Sequence, residues 1–177
     1  MPPLRFVLGR RTTSLHADRG GSPRPTLDIA HVSMEREEDR QAVMTLAAQC
    51  RSADNAGHFA PAGLLAELNG RPGRAVYAWL AWPTGATTRA EAGGVVDNGP
   101  RGLVALVAAG PGPQPRCSIA WLLVHPDARR RGIATTLVAH AMDHADSLGA
   151  KQVFAETLSS WPAAVEFWRS IGLEQES

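Results

Sequence analysis

Lysine is almost missing from this chain: Lys151 stands alone against seventeen arginines. Together with abundant Ala, Gly and Pro, that usage suggests a high-GC bacterial source more than a chemical need. Cysteine is nearly as scarce. Cys50 and Cys117 are far apart and form no metal or redox spacing, so two buried free thiols in a reducing cytoplasm are expected. The six histidines are dispersed and no H-E-x-x-H occurs, so no metal is expected. The longest apolar run, Leu103 to Ala109, falls far short of the roughly 20 residues that a helical membrane span needs. A dominant charge is lacking too, since the net charge is +1, which argues against nucleic-acid binding by the whole surface.

The charge is nevertheless uneven. Residues 1–27 carry five arginines and one acid, and the rest of the chain is net acidic. This start lacks the apolar stretch of a secretory signal and reads as a flexible basic extension over 1–25. Within it, Leu4-Arg5-Phe6-Val7-Leu8 has the look of a short strand. A length of 177 residues at 44% hydrophobic then gives one folded domain over 26–177.

Periodicity places the elements of that domain. Thr26–Val32 reads as a strand. Ser33 follows as a helix N-cap, with acids crowding the first turns and Val43, Leu46, Ala47 and Cys50 at helical spacing. Pro61–Leu68 reads as a short helix. Strands are expected at Ala75–Trp82, Leu103–Ala109 and Cys117–Val124, with a brief one at Val95-Val96. A long helix follows, its apolar face carrying Ile133, Leu137, Ala141 and Ala145, with His140, Asp143 and His144 outward or on the flank. Gln152–Ala155 reads as a strand and Pro162–Ser170 as a helix. The strand–helix–strand crossover implies one parallel pair in a mostly antiparallel sheet, hence a mixed α/β fold flanked by helices.

One segment has chemical specificity. Between a strand and a helix stand Val124-His125-Pro126 and then Arg129-Arg130-Arg131-Gly132-Ile133-Ala134, an R-x-x-G-x-A pattern. Small residues let a ligand approach the backbone, and the unpaired N–H groups of a first helical turn attract an anion such as a pyrophosphate. A helix start with solvated basic residues would look the same. Neither a G-K-[ST] ending nor a G-x-G-x-x-G is present.

These residues resemble the signature of the GCN5-related N-acetyltransferase (GNAT) superfamily. A second signature supports the resemblance, Ala164-Val165-Glu166-Phe167-Trp168-Arg169-Ser170-Ile171-Gly172-Leu173. The resemblance covers Thr26 to Leu173 and implies an acyl-CoA N-acyltransferase fold with a splayed parallel strand pair. Leu123 and Val124 would then pair with the pantetheine arm. The backbone of Arg129, Arg130, Arg131, Gly132, Ile133, Ala134 and Thr135 would cradle the pyrophosphate. The implied reaction moves an acyl group, acetyl by default, from acetyl-CoA or another acyl-CoA to a primary amine of a small molecule. A protein or peptide acceptor, or a non-catalytic acyl-CoA-binding module, are the alternatives.

The chain departs from the family pattern in four places. Trp168 stands where many members have a proton-donating Tyr, and an indole cannot fill that role; it is expected to wall the pantetheine arm. No carboxylate lies between Leu103 and Val124, where a base is often found. Glu156, His125 and His58 are the catalytic candidates that remain, with Glu67 also near the acceptor end and a salt bridge to Arg116 or Arg169 the alternative role for Glu156. Trp161, with Ser159 and Ser160 before it, replaces a common Asn. Finally, only four residues follow Leu173, where family members usually continue for two more strands. Either Arg5 to Gly9 or a strand from a second subunit, as in a swapped homodimer, is expected to cover the sheet edge; a truncated chain is the alternative.

Overall fold

The computed structural model describes residues 3–9, 26–53, 60–84, 99–110 and 114–176. They form a seven-stranded sheet with four α-helices in the chain order β1 (Pro3–Gly9), β2 (Leu27–His31), α1 (Glu37–Ala53), α2 (Pro61–Leu68), β3 (Arg74–Pro83), β4 (Gly102–Ala109), β5 (Arg116–Val124), α3 (Ile133–Ser147), β6 (Gln152–Leu158), α4 (Pro162–Ser170) and β7 (Glu174–Gln175). A single 3-10 turn, Pro126–Ala128, links β5 to α3. The expected strand at Val95-Val96 lies outside the described residues.

The strand order is β2-β3-β4-β5-β6-β1-β7. Every pairing is antiparallel except β5 with β6, as the crossover through α3 requires. The first strand of the chain therefore lies among the last ones. β1 pairs with β6 from Pro3 opposite Leu158 to Gly9 opposite Gln152, and β7 adds on at Phe6 and Val7. The Arg5 to Gly9 alternative fills the edge from within the chain, and that edge gives no reason to invoke a second subunit. Of the stretch expected as an extension over 1–25, Pro3–Gly9 is thus built into the sheet, because Phe6 is apolar and buried completely. Residues 10–25 lie outside the described residues.

Two apolar cores occupy the two faces of the sheet. The first joins α3 and α4 to Phe6, Trp79, Val104, Leu106, Cys117, Ile119, Val153 and Ala155. The second joins α1 and α2 to Ala78, Leu80, Leu103, Ala105 and Leu123. Gly102 explains how closely α3 approaches β4. A Cβ there would stand 2.7 Å from Leu137 Cδ1, 3.0 Å from the Leu123 carbonyl oxygen and 3.1 Å from Ile133 Cγ2, so a side chain there would have to push its neighbours aside. Cys50 and Cys117 are both buried and not joined in a disulfide, and burial pushes the Cys117 thiol up. Among the described residues no helix is long and apolar enough to cross a membrane.

One local expectation needs correction. The α1 helix starts at Glu37, four residues after Ser33, because the cap is not a serine hydroxyl. The buried Asp39 carboxylate reaches back to accept the Ser33 N–H at 2.8 Å. His140 and His144 stand half-buried on the flank of α3, as expected, and their partners there are the rings of β3. His144 lies 4.3 Å from the Tyr77 ring and 5.0 Å from Trp79, and His140 lies 5.1 Å from Trp79. The broad faces of Trp79 and Tyr77 on β3 offer the two imidazoles an apolar bed, which a helical wheel alone does not reveal.

Two outcomes follow from this packing. Phe6→Ala should cost about 3–5 kcal/mol in urea unfolding, as for other buried aromatics; a loss below about 1 kcal/mol would mean that β1 adds nothing to the core. Burial, then the neighbouring His140 and His31, lowers the His144 imidazole below its ordinary 6.5. The unfolded chain therefore binds the proton more readily. This contribution to stability is complete above pH 6.5 and is lost as pH falls through the lowered folded value. Thermal unfolding between pH 7.5 and 5 should show a fall in Tm that His144→Gln reduces.

Candidate active site

The site begins where β5 and β6 part. Only Cys117, Ser118 and Ile119 pair with Val153, Phe154 and Ala155, although β5 runs on to Val124 and β6 to Leu158. The cause lies on the other side of β5. Its register with β4 shifts between Ala105 and Leu106, opposite Trp121 and Ile119, so that Ala120 is an extra residue. Such a bulge bends its strand and reverses which side chains face which side. Cys117 and Ile119 join the α3 core before the bulge, and Leu122 and Val124 join it afterwards. Trp121 and Leu123 turn to the α1–α2 side. A gap opens between the outer halves of the two strands.

At its mouth stands the R-x-x-G-x-A loop. Arg130 has φ +61° and Gly132, the cap of α3, has φ +80°. Left-handed residues on either side of Arg131 curl the chain so that successive N–H groups converge, and a non-glycine there stores strain of about 1–3 kcal/mol. The first backbone bond of the helix runs from Thr136 N–H to the Gly132 carbonyl at 3.0 Å. The N–H groups of Ile133, Ala134 and Thr135 thus have no acceptor inside the helix and face an incoming anion with the positive end of its dipole. This donor set fits a pyrophosphate.

The three arginines divide their work. Arg129 Nε donates to the Val124 carbonyl at 3.2 Å, where Cys50 Sγ also approaches at 3.4 Å. Arg129 therefore braces the end of β5. Arg130 is exposed on the loop. Arg131 lines a cleft of about 380 Å³ with Thr26, Pro83, Arg101, Asp127 and Ile133. Leu123 and Val124 lie on the part of β5 beyond its pairing with β6. Trp168 is buried in the α3–α4 core with its ring 5.0 Å from Phe167.

The catalytic candidates are not brought together. The Glu156 carboxylate accepts from Arg5 Nε at 2.9 Å and Nη2 at 2.7 Å, its register partner on β1. The bond holds the Arg5 guanidinium above its ordinary value, through the hydrogen bond first and the charge second. A salt bridge is thus Glu156's role here, with Arg5 rather than Arg116 or Arg169. Arg116 instead lies over the Phe154 ring, 4.4 Å from its centroid. His125 is buried, and its Nδ1 accepts the Asp127 N–H at 3.2 Å to cap the 3-10 turn. That bond fixes the imidazole as a structural acceptor. His58 lies outside the described residues. Among those described, no three His, Cys, Asp or Glu residues are grouped to hold a metal ion.

A pair that sequence spacing does not expose stands beside the gap. The Trp121 indole N–H donates to the Glu67 carboxylate of α2. Glu67 is exposed, and Trp121 comes just after the bulge, on the α1–α2 side. Only the extra residue at Ala120 turns Trp121 that way, and a bulge has no spacing signature in β5.

Residues 64–173 match the family model described as the acetyltransferase (GNAT) family. No curated protein matches the chain. Several solved structures share its fold. An aminoglycoside acetyltransferase, meta-AAC0020, from an uncultured soil metagenomic sample and in complex with sisomicin, is 17% identical over 82% of this chain and 87% of its own, with a TM-score of 0.59. The aminoglycoside N-acetyltransferase AAC(6')-Iy in complex with CoA is 17% identical over 88% of this chain and 94% of its own, with a TM-score of 0.59. A ribosomal-protein-alanine N-acetyltransferase from Brucella melitensis biovar Abortus 2308 is 19% identical over 82% and 90%, with a TM-score of 0.57.

The loop geometry can be tested at Gly132. No atom lies within 4 Å of a Cβ placed there, so Gly132→Ala meets only the backbone penalty of φ +80°. It should lose about 1–2 kcal/mol of stability in urea unfolding. Its affinity for CoA should fall roughly tenfold, equivalent to about 1.4 kcal/mol, in isothermal titration. Unchanged affinity would show that the curl of the loop does not serve the anion.

Proposed function

This chain belongs to the GNAT acetyltransferase family, and from that premise we propose that it moves an acyl group from acyl-CoA to a primary amine of a small molecule. The observation that carries the reading is the strand gap ending at the curled loop. A flexible thioester arm can extend along the unpaired edge of β5, while the Ile133, Ala134 and Thr135 N–H groups hold the pyrophosphate at its far end. The CoA complex of the AAC(6')-Iy fold neighbour supports the same donor. Acyl-CoA supplies the activated carbonyl that the amine attacks, with a thiol as the group displaced. The aminoglycoside acetyltransferases that share the fold support a small amine as acceptor.

The chain has two tasks beyond binding. One is to keep the amine neutral, because an alkylamine with a pKa near 10.4 is unprotonated only about once in 2,500 molecules at pH 7. The other is to let the thiolate go. A thiol of pKa about 8.5 leaves as a weak base, so solvent suffices and a buried Trp168 in place of a phenol is tolerable.

The test is titration of acetyl-CoA and longer acyl-CoAs, beside thiol release with a panel of small amines and of peptides. The expected result is binding of the acyl-CoA and thiol release with one class of small amine. Release with peptides alone would replace the acceptor, and binding without any release would make the chain an acyl-CoA sensor. Folded protein that binds no CoA would overturn the reading.

A further inference from the structure

We infer that Glu67, held by Trp121, is the carboxylate that takes the proton from the acceptor amine; the inference rests on the transferase reading above. The reaction needs a proton acceptor at the gap, and the described candidates are committed elsewhere. Glu156 is paired with Arg5, and His125 caps a turn from inside the protein. β4 and β5 carry no carboxylate of their own. Glu67 comes from a different element, and the Trp121 indole fixes it against β5.

The placement follows from the bulge. Beyond Ile119 the strand has no partner in β6, and Trp121 is carried to the α1–α2 side at that point. The carboxylate of α2 is thereby held at the edge of the gap. An indole N–H engages one oxygen and leaves acceptor capacity, since a carboxylate offers about four lone-pair sites. Exposure lets Glu67 pass a proton on to water. The Trp121 ring adds an aromatic surface beside an anion, a pairing that favours an ammonium group on its way in.

The step balances without a further reactant. The substrate ammonium gives one proton to Glu67, directly or through one water, and Glu67 returns it to solvent. The freed nitrogen lone pair forms the C–N bond, and the C–S bond breaks with its electron pair leaving on sulfur. The second nitrogen proton neutralises that thiolate by way of solvent. The products are an amide, a thiol and one proton released.

Trp121 touches none of the reacting atoms in this scheme and is a positioning residue. Steady-state kinetics of wild type, Glu67→Gln and Trp121→Phe with the amine found above, across pH 5.5–9.5, test the scheme, with CoA titration on the same samples. Glu67→Gln should lower kcat about 100-fold, at the lower end of general-base contributions. CoA affinity should be unchanged, and the rate should then rise with pH only as the amine itself deprotonates. Trp121→Phe removes the N–H and keeps the ring; it should lower kcat about tenfold and shift the pH profile in the same sense. Full kcat with the wild-type profile in Glu67→Gln would overturn the role of Glu67 while leaving the transferase standing. Wild-type protein that releases no thiol with any amine would overturn the transferase reading, and Glu67's role with it.

Discussion

Three residue pairs hold β5 to β6, and the place where that contact ends governs the rest of the molecule. A sheet normally satisfies both edges of each inner strand, because an unpaired buried backbone group costs about as much as a lost hydrogen bond. Here the extra residue at Ala120 makes the outer half of β5 turn away from β6 while it stays paired with β4. One backbone edge is therefore left for something other than protein. Part of that cost is met from within, since the Val124 carbonyl receives both Arg129 Nε and Cys50 Sγ. The same bracing ties the start of the curled loop to the end of the strand. Strand gap and curled loop are thus one construction with a common anchor at Val124.

The sheet on the far side of β6 has to resist the same splaying. β1 supplies that resistance over the whole of β6, and fully buried Phe6 ties it into the α3–α4 core. The position of β1 also decides the electrostatics of the site. Arg5 stands directly opposite Glu156 and neutralises it, and Arg5 Nη1 lies 3.8 Å from Glu176 beyond β7. These side chains are about half exposed, so the ion pairs contribute little to stability. Their effect is on availability. The Glu156 carboxylate is tied to β1, and the proposed base therefore stands on the other wall of the gap.

Much of this was legible in the residues and some was not, for physical reasons. Periodicity located the helices well because each buries one face, as Ile133, Leu137 and Ala141 do along α3. The pattern Leu4 to Leu8 foretold a strand, and the structure pairs it with β6. The R-x-x-G-x-A loop was readable because φ +80° at its glycine leaves little choice of residue. What escaped depends on contacts between distant segments. Asp39 acting for the Ser33 cap, His140 and His144 turning to Trp79, and Arg5 reaching Glu156 all join groups whose spacing carries no signal. The bulge escaped as well. One residue of slip in an apolar strand leaves the composition unchanged while it reverses every side chain beyond it.

That reversal bears directly on the chemistry. Without the extra residue, position 121 would face the α3 core, where a carboxylate would be desolvated and a tryptophan would simply pack. With it, the side chain faces α2, and a strand that carries no acid borrows one across the helix–sheet interface. Splitting the function between two elements has a consequence that a carboxylate on the strand would not have. The acid remains exposed to solvent, while its position is set by an indole anchored on the strand that lines the gap. In the proposed scheme, movement of α2 relative to β5 would alter the geometry of proton transfer without touching the curled loop at α3. In that scheme donor binding and acceptor activation are mechanically separable in the same domain.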